Sequence, residues 1–271
     1  MSSAKDIFIK PINARTANLL VKRLHYSGKV VQNSNLHFGV FLNGKLEGAM
    51  QLGSCIDKRK MLGIVEGTGW NDFIELNRMA FSDNLPRFSE SRAIGVCFRL
   101  IKKQYPHIKW VISFSDSTQC GDGTIYRASG FVLTAIKKNN QLLKLADGRV
   151  VHKLTFENTR PTEIQKEIRL KHNMPQGSVT SLMKAEGANT LIGYQLRYIY
   201  FIDKSYKEKL TVPILPFSDI DKMGAGMYKG ERVTIQSRRD TWANSSDQLE
   251  SGGSIPTITL QPQKLKGAQN A

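Results

Sequence analysis

The residues best suited to chemistry lie far apart in the chain. Arg78 stands inside the apolar segment Phe73–Phe81, FIELNRMAF. A guanidinium within a strand is costly to bury unless it meets a carboxylate or faces a site. The partner the sequence offers is Asp116, at the end of the next apolar run. His25-Tyr26-Ser27-Gly28 follows directly on an amphipathic stretch. An imidazole and a phenol are thereby placed at a turn, where binding and catalytic groups gather on a rigid support. The same two side chains serve equally well as a satisfied helix end. Arg87 to Arg92, RFSESR, opens another helix, and its backbone N–H groups with Arg87, Ser89, Ser91 and Arg92 suit a phosphate or pyrophosphate. Lys58, Arg59 and Lys60 near Trp70 would contact phosphates and stack on a base, or would simply be solvated. His25 and Asp116 are also a minimal candidate pair for a metal ion.

These groups need elements to hold them. Residues 6–11 read as an edge strand ended by Pro11. A helix capped by Asn13 or Thr16 follows, with Leu19, Leu20, Val21 and Leu24 as its apolar face. Residues 36–42 and 46–52 flank Asn43-Gly44, the signature of a hairpin with a type I′ turn. After an irregular stretch at 55–71 comes the strand that carries Arg78. A helix over 88–103, with Ser89 as N-cap, buries Ala93, Ile94, Val96, Cys97, Leu100 and Ile101. Residues 109–114 read as a buried strand ending near Ser115, then a short helix stops at Gly130 and a strand starts at Phe131. Further on, a strand is expected over 149–156, helices over 162–171 and 178–187, and a late strand over 195–202. Residues 243–271 are rich in Ser, Gly, Gln and Pro, the composition of a flexible tail.

The 271 residues suffice for a domain of about 200 residues with appendages. Lys and Arg outnumber Asp and Glu by 39 to 23, giving a net charge of +16 and a surface field that attracts polyanions. Nucleic acid leads the expected partner classes. Cys55, Cys97 and Cys120 have neither CxxC nor Cys/His spacing, so neither a disulfide framework nor a zinc site is indicated. No stretch approaches the roughly 18 apolar residues of a membrane span, and a soluble protein without a membrane partner is expected.

A strand, a short helix ending in Tyr126-Arg127-Ala128-Ser129-Gly130-Phe131 and a further strand resemble the second half of an acyltransferase of the GNAT superfamily. With His25-Tyr26, Glu75-Leu76-Asn77-Arg78 and Phe114-Ser115-Asp116-Ser117, the order is more specifically similar to the Mom-type DNA adenine modification proteins of bacteriophages, over about residues 6–210. That resemblance implies an α/β fold, a GNAT-like mixed central sheet flanked by helices. The chain is expected to divide into a GNAT-like domain over 1–210, including a helical and strand extension from about 150, and a C-terminal extension over 211–271, flexible from about 243 by its composition. The resemblance also implies a transferase converting adenine in double-stranded DNA to N6-carbamoylmethyl adenine, working in the host cell cytoplasm and protecting phage DNA from restriction. The functional positions fall on His25, Tyr26, Arg78, Asp116 and Tyr126. Asp116 would take or orient the N6 proton, with Arg78 holding it and lowering its pKa. Tyr126 would protonate the leaving group, and His25 and Tyr26 would bind the carbonyl or the flipped base. The donor is acetyl-CoA or an aminoacyl-tRNA; residues 87–93 lack the glycines of the usual pyrophosphate loop. Two other classes stay open: an N-acetyltransferase for a protein or small amine, and a non-catalytic DNA-binding module.

Overall fold

The computed structural model describes residues 2–228 and 231–232. The expected flexible tail from 243 lies outside these residues. The elements, in order, begin with β1 (Phe8–Pro11), α1 (Ala14–Leu24), β2 (Ser34–Leu42), β3 (Lys45–Gly53) and α2 (Lys58–Leu62). Next come β4 (Phe73–Phe81), α3 (Ser89–Gln104), β5 (Trp110–Asp116), α4 (Ser117–Cys120) and α5 (Thr124–Ala128). Then follow β6 (Val132–Lys144), β7 (Val150–His152), α6 (Leu154–Glu157), α7 (Glu163–Lys171) and α8 (Val179–Ala185). The chain closes with β8 (Asn189–Phe201), α9 (Ser218–Lys222), β9 (Met227–Tyr228) and β10 (Glu231–Arg232).

Eight strands form one mixed sheet in the order β1-β2-β3-β4-β5-β8-β6-β7, flanked by helices, which is the expected fold class. The β2–β3 hairpin turns where Asn43 and Gly44 take φ of 50° and 76°, the left-handed pair a type I′ turn requires. β4 and β5 run parallel, joined by α3 as a crossover, while the pairs β1–β2, β2–β3, β3–β4, β5–β8, β6–β8 and β6–β7 are antiparallel.

The main core lies between the sheet and α3: Ala93, Ile94, Cys97, Phe98 and Ile101 pack on Val40, Met50, Leu52, Leu76 and Val111. On the opposite face Trp110 is fully buried and stacks on Phe73 with centroids 4.2 Å apart, its indole N–H donating to Thr68 Oγ1 at 3.1 Å. α1 packs Ala17 and Leu20 against Ala49. Leu19, expected on that buried face, is 63% exposed; one position before Leu20 it points about 100° away around the helix.

Three more expectations need correction. Ser89 is not the cap of α3: Phe88, at φ 69°, occupies that position, and Ser89 is fully buried with its hydroxyl on the Pro86 carbonyl at 2.6 Å. The strand over 149–156 stops at His152. Phe156 is drawn into a separate small core with Leu143, Val151, Ile168 and Leu182, and the chain coils into α6 to deliver it. The short helix after β5 is two pieces, α4 and α5, separated where Gly121 and Gly123 take φ of 85° and 71°. Beyond Phe201 the chain packs back on the domain: Thr211 N–H bonds the Ile64 carbonyl, Leu215 bridges Leu133, and Ile220 and Met227 enter the main core. No helix of the described residues is long and apolar enough to cross a membrane.

Candidate active site

Two local irregularities build the site. β4 and β5 pair only from Phe73 to Glu75 against Trp110 to Ile112, although both strands continue beyond, so their carboxyl ends part and open a gap. Such a crevice at strand ends is where ligands enter open α/β sheets. The second irregularity is a bulge. β3 pairs Leu52 with Leu76 and Gln51 with Arg78, leaving Asn77 as the extra residue. Before it, Ile74 and Leu76 face α3; after it, Met79 and Phe81 do. The phase slip turns Arg78, which plain alternation would put beside Leu76, to the opposite face. Asn77 holds the bulge through its own amide, accepting from Ser34 Oγ at 2.9 Å and donating to the Ser54 carbonyl at 3.4 Å.

Asp116 reaches the same face by ordinary alternation, following Ile112 and Phe114 of the cluster around Trp110. The turn after α1 supplies the third wall. His25 ends α1 with its N–H on the Val21 carbonyl, and its ring lies 4.3 Å from that of Tyr26. The result is a cleft of about 840 Å³. Tyr26, Ser27 and Lys29 line one side, Arg78, Asp116 and Gln119 the floor, and Arg149, Val150, His152, Leu154 and Glu163 the far side.

Of the five expected catalytic residues, Tyr26, Arg78 and Asp116 therefore meet in one cleft. His25 stands behind Tyr26. Tyr126 lies outside the lining: its ring packs on Phe131 and Tyr198 at 5.2 and 5.1 Å, against the core under α3. The partner expected for Arg78 is also corrected. Its Nε donates to the Lys29 carbonyl at 3.2 Å and a terminal nitrogen donates to the Asn77 carbonyl at 2.7 Å, because the splayed strands hold β5 away and the turn after α1 comes close. Arg78 thus ties that turn to the sheet.

Nor is the Asp116 carboxyl lowered. Burial pushes it above the usual aspartate range, opposed by hydrogen bonds from Thr118, whose N–H it accepts at 3.2 Å as the cap of α4, and by His152 across the cleft. His152 is pushed down by burial and then by Lys29, while Asp116 pulls it up. The two shifts run toward each other, narrowing the gap in proton affinity between an acid and a base on one cleft, as proton-transfer sites require. His25 is lowered to about 4, by burial first and the Arg78 charge second. Its Nδ1 accepts the Ser27 N–H at 3.2 Å, which places the ring proton on Nε2. The Leu154 N–H fixes the same tautomer in His152 at 3.1 Å.

The expected phosphate cradle does not converge. Ser89 is buried, the Ser91 hydroxyl bonds the Phe88 carbonyl at 3.1 Å, and Arg92 reaches the Lys5 carbonyl at 3.4 Å. Arg87 lies over the Phe88 ring at 5.5 Å. A pyrophosphate does not fit these side chains as they stand. Among the described residues no three His, Cys, Asp or Glu side chains group to hold a metal. In α2 Lys58 lies over Trp70 at 5.0 Å, while Arg59 and Lys60 are exposed, Lys60 pairing with its neighbour Asp57 at 2.5 Å.

A model of the Mom protein family matches residues 6–219. The chain belongs to that family. It is 31% identical over 212 residues to the methylcarbamoylase Mom of Escherichia phage Mu, covering 78% of this chain and 82% of that protein. Among solved structures, the ribosomal-protein-S18-alanine N-acetyltransferase of Escherichia coli superposes with a TM-score of 0.40 at 12% identity, over 72% of this chain and 94% of that one. A GNAT family acetyltransferase from Elizabethkingia anophelis with acetyl-CoA bound gives 0.37 at 14% identity, over 72% and 98%. Sequence reasoning had missed Lys29, Gln119, His152 and the wall from Val150 to Ile164 in this Mom-family cleft. Their signal was slight, since Lys29 and His152 sit in stretches without a motif and come together only through the fold.

Proposed function

We propose that this Mom-family chain transfers a carbamoylmethyl group to N6 of adenine in double-stranded DNA. The observation that carries the reading is the meeting of Tyr26, Arg78 and Asp116, from three separate segments, in one cleft with a partly buried carboxylate at its floor. Adenine N6 is a weak nucleophile because its lone pair is delocalised into the ring. A carboxylate raised above its usual range is a better base for the N6 proton, which it takes as nitrogen bonds to the donor carbon and the donor's leaving group departs. Lys29 and Arg78 bring positive charge to the same cleft, and the exposed Tyr26 ring offers a face on which a base can stack. N6 lies within the duplex, so the adenine is flipped out to be reached. The relative named a methylcarbamoylase supports the transferred group, and the net charge of +16 supports the polyanion.

N6 is also the donor that adenine presents in the major groove, so substitution there removes a contact used by sequence-reading endonucleases. Protection of the modified DNA from restriction follows. The reading is tested by mass spectrometry of nucleosides from plasmid DNA of cells expressing the chain or its Asp116→Ala variant. A deoxyadenosine species heavier by one carbamoylmethyl group, absent from the variant, is expected; unmodified DNA from folded wild-type protein refutes it.

A further inference from the structure

The far wall of the cleft carries apolar side chains that the described residues leave uncovered. Leu154 is 61% exposed and Val150 40%, and both line the cleft beside His152. Neither sits on a loose loop. The Lys153 N–H bonds the Gln141 carbonyl at 2.7 Å, the Leu154 N–H bonds His152 Nδ1, and Phe156, two residues on, is fully buried in the small core under α7 and α8. Leu154 therefore projects from an anchored turn, its apolar surface left in water at a cost of about 25 cal/mol per Å².

The charges around it say what covers it. Arg149 is paired with Asp147 and Glu167 at 2.6 and 2.7 Å and Glu163 with Lys166 at 2.8 Å, which leaves Lys29 and Arg78 facing the cleft against the single carboxyl of Asp116. An apolar protein partner has no use for a cationic cleft beside the contact. Duplex DNA matches both features, with phosphates outside and stacked apolar base faces inside. Removing a base from that stack leaves a gap that an apolar side chain can fill.

We propose that Leu154, supported by Val150, is a wedge that enters the base stack and takes the place of the adenine drawn into the cleft. This rests on the reading under Proposed function. Leu154 is a positioning residue: it acts on the duplex and leaves the chemistry at N6 alone. Its loss impairs reaction with stacked, paired adenine and spares adenine that is already unpaired.

The test compares native with heat-denatured plasmid DNA, which present the same sequences. The full-length wild-type chain, Leu154→Ala and Leu154→Met are each added to extract of the same host strain lacking the chain, so that the extract supplies only the donor, and modified deoxyadenosine is measured by mass spectrometry. Leu154→Ala is expected to lower modification of native DNA about 10-fold relative to denatured DNA, with Leu154→Met within about 2-fold of wild type on both. The exposure of the site leaves the melting temperature unchanged. Equal loss on both DNAs, or no loss, overturns the wedge while the reaction stands. Failure of the wild type on both DNAs overturns the reaction itself, and the wedge with it.

Discussion

The titration of His25 can be measured without knowing the donor. Its imidazole is lowered from 6.5 to about 4 in the folded chain, first by burial and then by the Arg78 charge. The unfolded chain therefore binds a proton near pH 6.5 that the folded chain refuses until about pH 4. A depressed pKa gives stability that is present above 6.5 and lost as pH falls toward 4. Between pH 7 and 4.5 the two pKa values give a loss of about 2.4 kcal/mol, and the partial exposure of the ring reduces it to about 2 kcal/mol. Urea unfolding at both pH values, for the wild type and His25→Asn, isolates this contribution. The asparagine side chain keeps an acceptor for the Ser27 N–H but cannot titrate. The wild type is expected to lose about 2 kcal/mol more than the variant on acidification. Proton NMR of the imidazole should show its midpoint near 4, with the proton on Nε2. Equal losses in the two proteins, or a His25 midpoint near 6.5, would refute the burial argument and the fixed tautomer with it.

Asp116→Asn keeps the side-chain oxygen that caps α4 and removes the base, so modification should fall about 10²–10⁴-fold with the fold intact, read from nucleosides of plasmid DNA. Because burial raises the Asp116 carboxyl, its ionisation opposes folding as pH rises past the usual aspartate range. Asp116→Asn should therefore melt higher than wild type at pH 7, and the acid limb of the activity profile should lie above the ordinary aspartate range. Gly193→Ala would drive a Cβ into the Thr118 side chain, displacing the residue whose N–H binds Asp116; a loss of about 1–3 kcal/mol in urea and reduced modification are expected. Trp110→Ala removes the stack on Phe73 from the core on the Asp116 face of the sheet and should cost about 3–5 kcal/mol by the same assay.

The elements that could be read in the sequence are those whose signals are local. Asn43-Gly44 sets a hairpin by itself, and the apolar residues of α3 repeat at the helical period. Asp116 was legible because it closes a strand and caps a helix within three residues. The environment of Arg78 was not legible, since a bulge is defined only by the partner strand and Asn77 carries no mark of being the extra residue. The run from Val150 to Phe156 has strand propensity throughout, and only the burial of Phe156 against Ile168 and Leu182 ends the strand at His152. Lys29 and His152, 123 positions apart, are joined by tertiary contacts alone, and no spacing rule links them.

The bulge also decides what kind of site this is. With unbroken alternation in β4, Arg78 would point under α3, into a core of Leu76, Ile94 and Phe98, where an unpaired guanidinium is untenable. The extra residue moves it to the face that holds Asp116, and the parting of β4 from β5 keeps the two from closing into an ion pair. Arg78 instead directs its donors to the Lys29 and Asn77 carbonyls, which fixes the turn bearing Tyr26 without neutralising its own charge. Burial and then that charge lower His25, while burial outweighs the Thr118 hydrogen bonds and His152 at the Asp116 carboxyl and raises it. An ion pair would have done the reverse, holding Asp116 low and making it a poor base. One inserted residue and one splayed strand pair thus turn what would be a structural salt bridge into a cationic cleft with a basic carboxylate at its floor.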